Sequence, residues 1–224
     1  MNDLLLFVEL IFCVFSIYLF KRFLGLFGLY AYCIVATISS NIQILKLTTY
    51  SFYGSAVALG TVVFSSIFIV DNIINEYYGL KSARDCIFLT TFSYLFFVVL
   101  MHICIFYTNS GGEGDSIKKI FGISASIFAC SMCSYVITQV IDVYLFSFVK
   151  KILSSKFLWF RMNFSTIISS FCDQVLFSIL LWKFFLNKDI SWSGIFNTYV
   201  YFGYIFRAVI IIFVNTVLHF IRNK

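Results

Sequence analysis

Among the carboxylates inside long apolar stretches of this 224-residue chain, four stand in polar patterns: Asp71, Glu76, Asp142 and Asp173. Each costs about 2.5–3.5 kcal/mol at the centre of a membrane helix on insertion scales, so the chemistry they point to is a polar-solute site, a proton carrier or a partner for a buried cation. Asp71 and Glu76 belong to the run Asp71-Asn72-Ile73-Ile74-Asn75-Glu76-Tyr77-Tyr78-Gly79. Helical spacing puts Asp71, Asn75 and Tyr78 on one face and Asn72 and Glu76 on the next, a stripe that belongs inside a bundle. The plainer alternative is a polar helix end beside Lys81.

Asp142 and Asp173 stand in matching stripes. Tyr135, Gln139, Asp142 and Phe146 recur at spacings of four, three and four, and Thr166, Ser170, Asp173 and Phe177 repeat those spacings. Two neighbouring helices therefore turn equivalent carboxylates inward, toward a shared cavity or toward cations such as Arg161 and Arg207. Interhelical glue is the structural alternative, although glue is more often Ser, Thr or Asn than a pair of Asp. Asn41 and Gln43, followed by Lys46, form a weaker polar cluster at the end of another apolar run.

The elements that position these residues are read from hydropathy. The chain is 61% hydrophobic and 12% charged with a mean hydropathy of +0.97, whereas a soluble domain is about half apolar and a quarter charged. Apolar runs of roughly 17–25 residues cross a hydrocarbon core as helices. Bounded by charge, they predict helices over Leu4–Phe20, Phe23–Leu45, Tyr53–Tyr77, Cys86–Tyr107, Ile120–Val149, Asn163–Leu186 and Ile195–Ile221. The predicted fold is all-α, a polytopic membrane protein of about seven transmembrane helices forming a single domain over residues 1–224. Lys21-Arg22, Lys81, Arg84, Lys150, Lys151, Lys156, Arg161, Arg222 and Lys224 fall on one side, which the positive-inside rule makes cytoplasmic. Lys46, the acidic Gly-rich loop with Lys118-Lys119, and Lys188 with Asp189 fall on the other, predicting an N-out, C-in chain.

Other classes fit less well. The net charge of +6 comes from basic clusters between apolar runs, which reads as topology and not as nucleic-acid binding. Seven cysteines, an odd number scattered through apolar segments, suggest neither a disulfide framework nor a zinc site, and the Cys130/Cys133 pair reads as packing. His102 and His219 stand alone, so no metal or cofactor set is expected. The loop Asn109–Ser116 reads as a flexible connection; no strand precedes it and Lys118 comes too late for a phosphate-binding loop. Met1-Asn2-Asp3 has no positive n-region, so the first apolar segment is expected to stay in the protein.

Several runs together resemble the VUT/YhhQ family of queuosine precursor transporters. They are Asn41-Ile42-Gln43-Ile44-Leu45-Lys46, the stretch Phe68 to Gly79 with Ala83-Arg84 after it, Gln139-x-x-Asp142, Arg161-x-x-x-Ser165-Thr166, and Asp173-x-x-x-Phe177. The chain departs from the family pattern at Arg207, where a lysine is common, and in having no proline.

The resemblance implies a multi-pass protein of the bacterial inner membrane that takes up a 7-deazaguanine: 7-cyano-7-deazaguanine, its aminomethyl relative or queuine. The lipid bilayer and a purine-like small molecule are the expected partners, and a homodimer is left open. Such a base offers N1–H and a 2-amino group side by side, an edge from which one carboxylate accepts two hydrogen bonds. The expected site is therefore Asp142 or Asp173 on that edge, supported by Asn41, Gln43, Gln139, Ser170 and Arg161, with Tyr135 and Phe146 stacking on the ring and Asp71 and Glu76 closing the cytoplasmic side. Protonation of a buried carboxylate is the expected coupling device, because burial disfavours the charged form. Two rivals remain: a membrane-embedded enzyme, for which no nucleophile with its base is evident, and the substrate-binding subunit of a multi-component importer.

Overall fold

The computed structural model describes residues 1–108, 110–112, 114–122, 125–153, 157–185 and 191–222. Its elements run α1 (Asn2–Gln43), β1 (Leu47–Tyr50), β2 (Tyr53–Ala58), α2 (Thr61–Phe106), α3 (Gly114–Gly122), α4 (Ala125–Ile152), α5 (Leu158–Ile179) with a π-helical continuation (Leu180–Phe185), α6 (Trp192–Gly194), a second π turn (Ile195–Tyr201) and α7 (Phe202–Arg222).

At 42 and 46 residues, α1 and α2 would be roughly 60–70 Å long if straight, about twice the hydrocarbon thickness. Each is broken once by a glycine. Gly25 (φ 59°, ψ −131°) and Gly79 (φ 87°, ψ 169°) take conformations closed to residues with a Cβ, and the chain doubles back there. In α1 the rings of Phe20 and Tyr32 meet edge to face at 6.2 Å, and Glu9 lies beside Gln43. In α2, Cys86 approaches Asp71 across the break. Two arms each from α1 (2–24 and 26–43) and α2 (61–78 and 80–106), with α4, α5 and the Ile195–Arg222 segment, give seven helical arms among the described residues. The helices α1, α2, α4 and α5 are long and apolar enough to span a bilayer.

The packing is inverted relative to a soluble protein. Phe7, Phe15, Phe23, Phe27, Phe92 and Phe96 face outward, while Asp71, Asn72, Thr138, Gln139, Asp142, Ser165 and Ser169 are fully buried. Hydrocarbon solvates the first group, and the second is kept among the helices that carry it.

One element departs from the helical expectation. The third helix starts at Thr61, not at Tyr53, and Tyr53–Ala58 pairs antiparallel with Leu47–Tyr50, Leu47 opposite Ala58 and Tyr50 opposite Tyr53. An apolar run of this length reads equally as strand or helix by hydropathy alone; the β-branched and aromatic residues Thr48, Thr49, Tyr50, Tyr53 and Val57 favour the strand. The hairpin is tied to the start of α1. The Asn2 amide donates to Thr48 Oγ1 (3.0 Å) and the Thr49 carbonyl (2.9 Å), and the Ser51 backbone N–H (2.8 Å) and hydroxyl (2.7 Å) donate to Asp3. Likewise, the expected helix from Ile120 begins at Ala125; Ile120 belongs to α3, which opens at Gly114 inside the expected loop. Asn109, Glu113, Lys156, Lys188, Asp189 and Lys224 lie outside the described residues.

Basic residues gather at the opposite end from the hairpin. The Lys21 ammonium sits 3.4 Å from the centre of the Tyr77 ring, Arg84 reaches the Tyr144 hydroxyl, and Lys150 and Arg161 both reach Glu76.

Candidate functional site

Between those ends the bundle interior is organised in layers along the first arm of α2. Beneath the hairpin lies a cavity of about 810 Å³. Asn41 from α1 and Ile44 just beyond its end, Ala56 to Ala58 from β2, Phe64 from α2, Asp173, Gln174 and Phe177 from α5, and Arg207 from α7 are on its wall. Asp173 is held from three sides. Ser134 Oγ donates to its Oδ1 at 2.6 Å, Thr138 Oγ1 lies 3.3 Å from the same oxygen, and Arg207 Nη1 donates to Oδ2 at 2.6 Å. A carboxylate offers about four acceptor positions, so one remains toward the cavity. Arg207 Nε has no acceptor among the described residues, and its guanidinium lies 5.1 Å above the Phe64 ring. Asn41 spends its amide N–H on the Thr37 carbonyl at 2.8 Å, leaving Oδ1 without a partner among the described residues. The lining thus includes a carboxylate, a guanidinium, an acceptor without a partner among the described residues, and the side chains of Phe64 and Phe177.

The floor is aromatic: Phe64 meets Phe68 at 5.7 Å and Tyr135 at 6.2 Å, both edge to face. Beyond it Tyr135, Gln139 and Asp142 of α4, and Asp71 of α2, are all at most 1% exposed. The Tyr135 hydroxyl, both ends of the Gln139 amide and both oxygens of each carboxylate lack a hydrogen bond among the described residues. Ser165, Ser169 and Asn72 surround Asp142, but their donors are engaged elsewhere: Ser165 with the Met162 carbonyl, Ser169 with the Ser165 carbonyl, and Asn72 with Ser165 and Thr166.

The basic end is closed by ions. Glu76 pairs with Arg161 (2.9 Å) and Lys150 (3.2 Å), and Lys150 also donates to the Asn75 and Glu76 carbonyls. Asn75 donates to the Val143 carbonyl and to Ser147, both at 2.8 Å. Arg161, 1% exposed, stacks 5.6 Å above the Phe146 ring.

The expected site residues are thereby distributed over all the layers. Asn41 and Asp173 share the cavity; Tyr135, Gln139, Asp142 and Asp71 lie beneath its floor; Glu76, Arg161 and Phe146 belong to the basic end. Gln43 faces Glu9 beside the cavity wall, and the Ser170 hydroxyl donates to the Ile167 carbonyl of its own helix. Phe146 lies under Arg161 and Tyr135 against Phe64, so neither ring faces the cavity. His102 bonds the Val98 carbonyl on its own helix.

Comparison with known proteins adds a family. Residues 58–221 match the family described as "Putative vitamin uptake transporter". The chain belongs to this family. It is therefore a membrane transporter of multi-pass architecture, which in bacteria places it in the cell membrane. A protein of Bacillus subtilis (strain 168), the "Probable queuosine precursor transporter", is 28% identical over 203 residues, covering 89% of this chain and 87% of that protein. No solved structure matches.

Several residues at the cavity and at the basic end carry little signal in the sequence. Phe64 is one aromatic among 30 phenylalanines, Lys150 reads as a topogenic charge, and Ser134 and Thr138 look like ordinary small polar residues of a helix. The signal for Ser134 and Thr138 is their spacing: with Asp142 they stand at steps of four along one face of α4.

Proposed function

We propose that the transporter imports a guanine-like base, a queuosine precursor, and that the base binds in the cavity beneath the hairpin. The observation that carries this reading is the donor and acceptor set on one cavity wall: the remaining acceptor position of Asp173, the partnerless Oδ1 of Asn41, and the cationic donor Arg207. A 7-deazaguanine presents a carbonyl, N1–H and a 2-amino group in sequence. Arg207 suits the carbonyl, Asp173 the N1–H and Asn41 the amino group, and charge-assisted bonds to Asp173 and Arg207 are the stronger ones. Phe64 and Phe177 supply apolar aromatic surface against which the flat ring can pack. The name of the Bacillus subtilis relative supports the same solute class.

With the basic end facing the cytoplasm, the cavity opens toward the outside and the Glu76–Arg161–Lys150 cluster closes the inner exit. Release into the cell requires that cluster to part, and uptake is driven by protons. The reading is tested in a bacterial strain that neither makes nor imports the precursor. With this chain expressed and 7-cyano-7-deazaguanine, its aminomethyl relative or queuine supplied, queuosine appears in tRNA; its absence with every base, despite protein in the membrane, refutes the reading.

A further inference from the structure

Asp71 lies outside the cavity and outside both ion-pair clusters. It is 0% exposed, and neither carboxylate oxygen has a hydrogen bond among the described residues. One of its oxygens and the thiol sulfurs of Cys33, from the second arm of α1, and Cys86, from the second arm of α2, lie within 4.8 Å of one another. The other groups facing it are Tyr30 of α1 and Tyr135 and Asp142 of α4. No Lys, Arg or His is among them. An anion there would stand among thiols, phenols and a second carboxyl with no counter-charge among the described residues, an arrangement that is costly unless a proton or a cation is supplied.

Position makes that acid useful. On the cavity side, Tyr135 meets the cavity-lining Phe64 edge to face, and its hydroxyl has no partner among the described residues. On the other side, Glu76 follows Asp71 by five residues, about 7.5 Å along the helix, and brings the cations Arg161 and Lys150 with it. A small rearrangement on either side therefore changes what Asp71 sees, from a dry cluster to one near water or near positive charge.

We propose that Asp71 carries the coupling proton, while Asp173 holds the solute. This rests on the transport reading above. A proton from outside water forms the O–H bond of the Asp71 carboxyl; when the basic end parts, water and the Lys150 and Arg161 charges favour the anion, and that bond breaks to release the proton inward. One proton enters with each solute, and no other reactant is needed. Glue would look different. A carboxyl that merely fills the space between two thiols is replaced by an amide of the same shape without effect on coupling.

The test uses the full chain in proteoliposomes with a radiolabelled deazaguanine base. Three quantities are read: accumulation under an imposed inward proton gradient, exchange of internal for external base without a gradient, and proton entry reported by an internal pH dye. Asp71→Asn is expected to exchange within about twofold of the parent while losing accumulation and base-linked proton entry by about tenfold or more. Accumulation and proton entry at parental levels overturn the proposal, and so does loss of exchange together with accumulation in a monodisperse protein. If the Asn variant fails to fold, Asp71→Glu serves. A carboxyl of different reach shifts the external pH at which accumulation is half-maximal, and an unshifted profile overturns the proposal. Stoichiometric zinc in the purified protein would give Asp71 a counter-charge and also overturn it. A parent protein inert toward every base removes the solute reading itself; a parent that transports while Asp71→Asn stays coupled removes only the role of Asp71.

Discussion

The hairpin end and the basic end both place a carboxylate against an arginine, yet they do different things with it. At the hairpin end, Asp173 and Arg207 border about 810 Å³ of space and each keeps bonding capacity in reserve. At the basic end, Glu76 is shared by Arg161 and Lys150, Arg161 is sandwiched on Phe146, and Lys150 clamps two backbone carbonyls as well. An ion pair beside a cavity can exchange one partner for a solute at modest cost. One shared by cations from two other helices holds those helices together, and parting it requires the helices to move. The difference lies in the surroundings, because the pairs themselves are chemically alike.

The comparison breaks most visibly at Arg161. Arg161→Met leaves Glu76 a partly buried anion with Lys150 alone, and removing one partner of a buried pair costs about 3–5 kcal/mol. The expected result is a large drop in apparent melting temperature by fluorescence-detected size exclusion, with Arg161→Lys recovering only part of it. The corresponding change beside the cavity spares the fold and hits binding. Asp173→Asn removes a charged acceptor worth about 1.5–3 kcal/mol, so base affinity falls roughly ten- to a hundredfold by scintillation proximity while melting changes less than in Arg161→Met. Equal melting losses in the two variants would dissolve the distinction between gate and site.

A third change acts on the backbone. Gly79→Ala introduces a Cβ with nothing within 4 Å, so there is no clash and only the φ of 87° is penalised. Such a conformation costs a residue with a Cβ about 1–3 kcal/mol, and thermal melting reads the loss. The smallest expected effect on stability is Ala56→Trp. This exposed β2 residue lines the cavity, so the variant should melt within about 0.5 kcal/mol of the parent yet block uptake in the tRNA assay; unimpaired uptake would move the solute path elsewhere.

Asp142 and Asp173 show how far the sequence reaches. Their stripes have identical spacing, and that spacing places both on inward faces, where both are buried. Their environments nevertheless diverge. Ser134 and Thr138 come from the facing helix to hold Asp173, and Arg207 comes from α7, whereas the donors around Asp142 are occupied by backbone carbonyls and by each other. Periodicity fixes a direction around one helix axis. It does not fix the height at which that helix meets its neighbour, and height decides which partner a side chain finds.

Hydropathy and charge were enough to determine the bilayer as solvent, the helical class, the polar stripes and the one-sided gathering of basic residues, because each depends on local pattern and on the cost of polar groups in hydrocarbon. The doubling back at Gly25 and Gly79 was hinted at by adjacent charge. The hairpin of Leu47 to Ala58 was not, since a short apolar run serves strand and helix equally. Only the tertiary structure decided that Asp173 lines a cavity, that Glu76 pairs with Arg161 and Lys150 at the opposite end and that Asp71 stands among thiols with no counter-charge among the described residues, because each outcome depends on residues from three or more helical arms meeting at one depth.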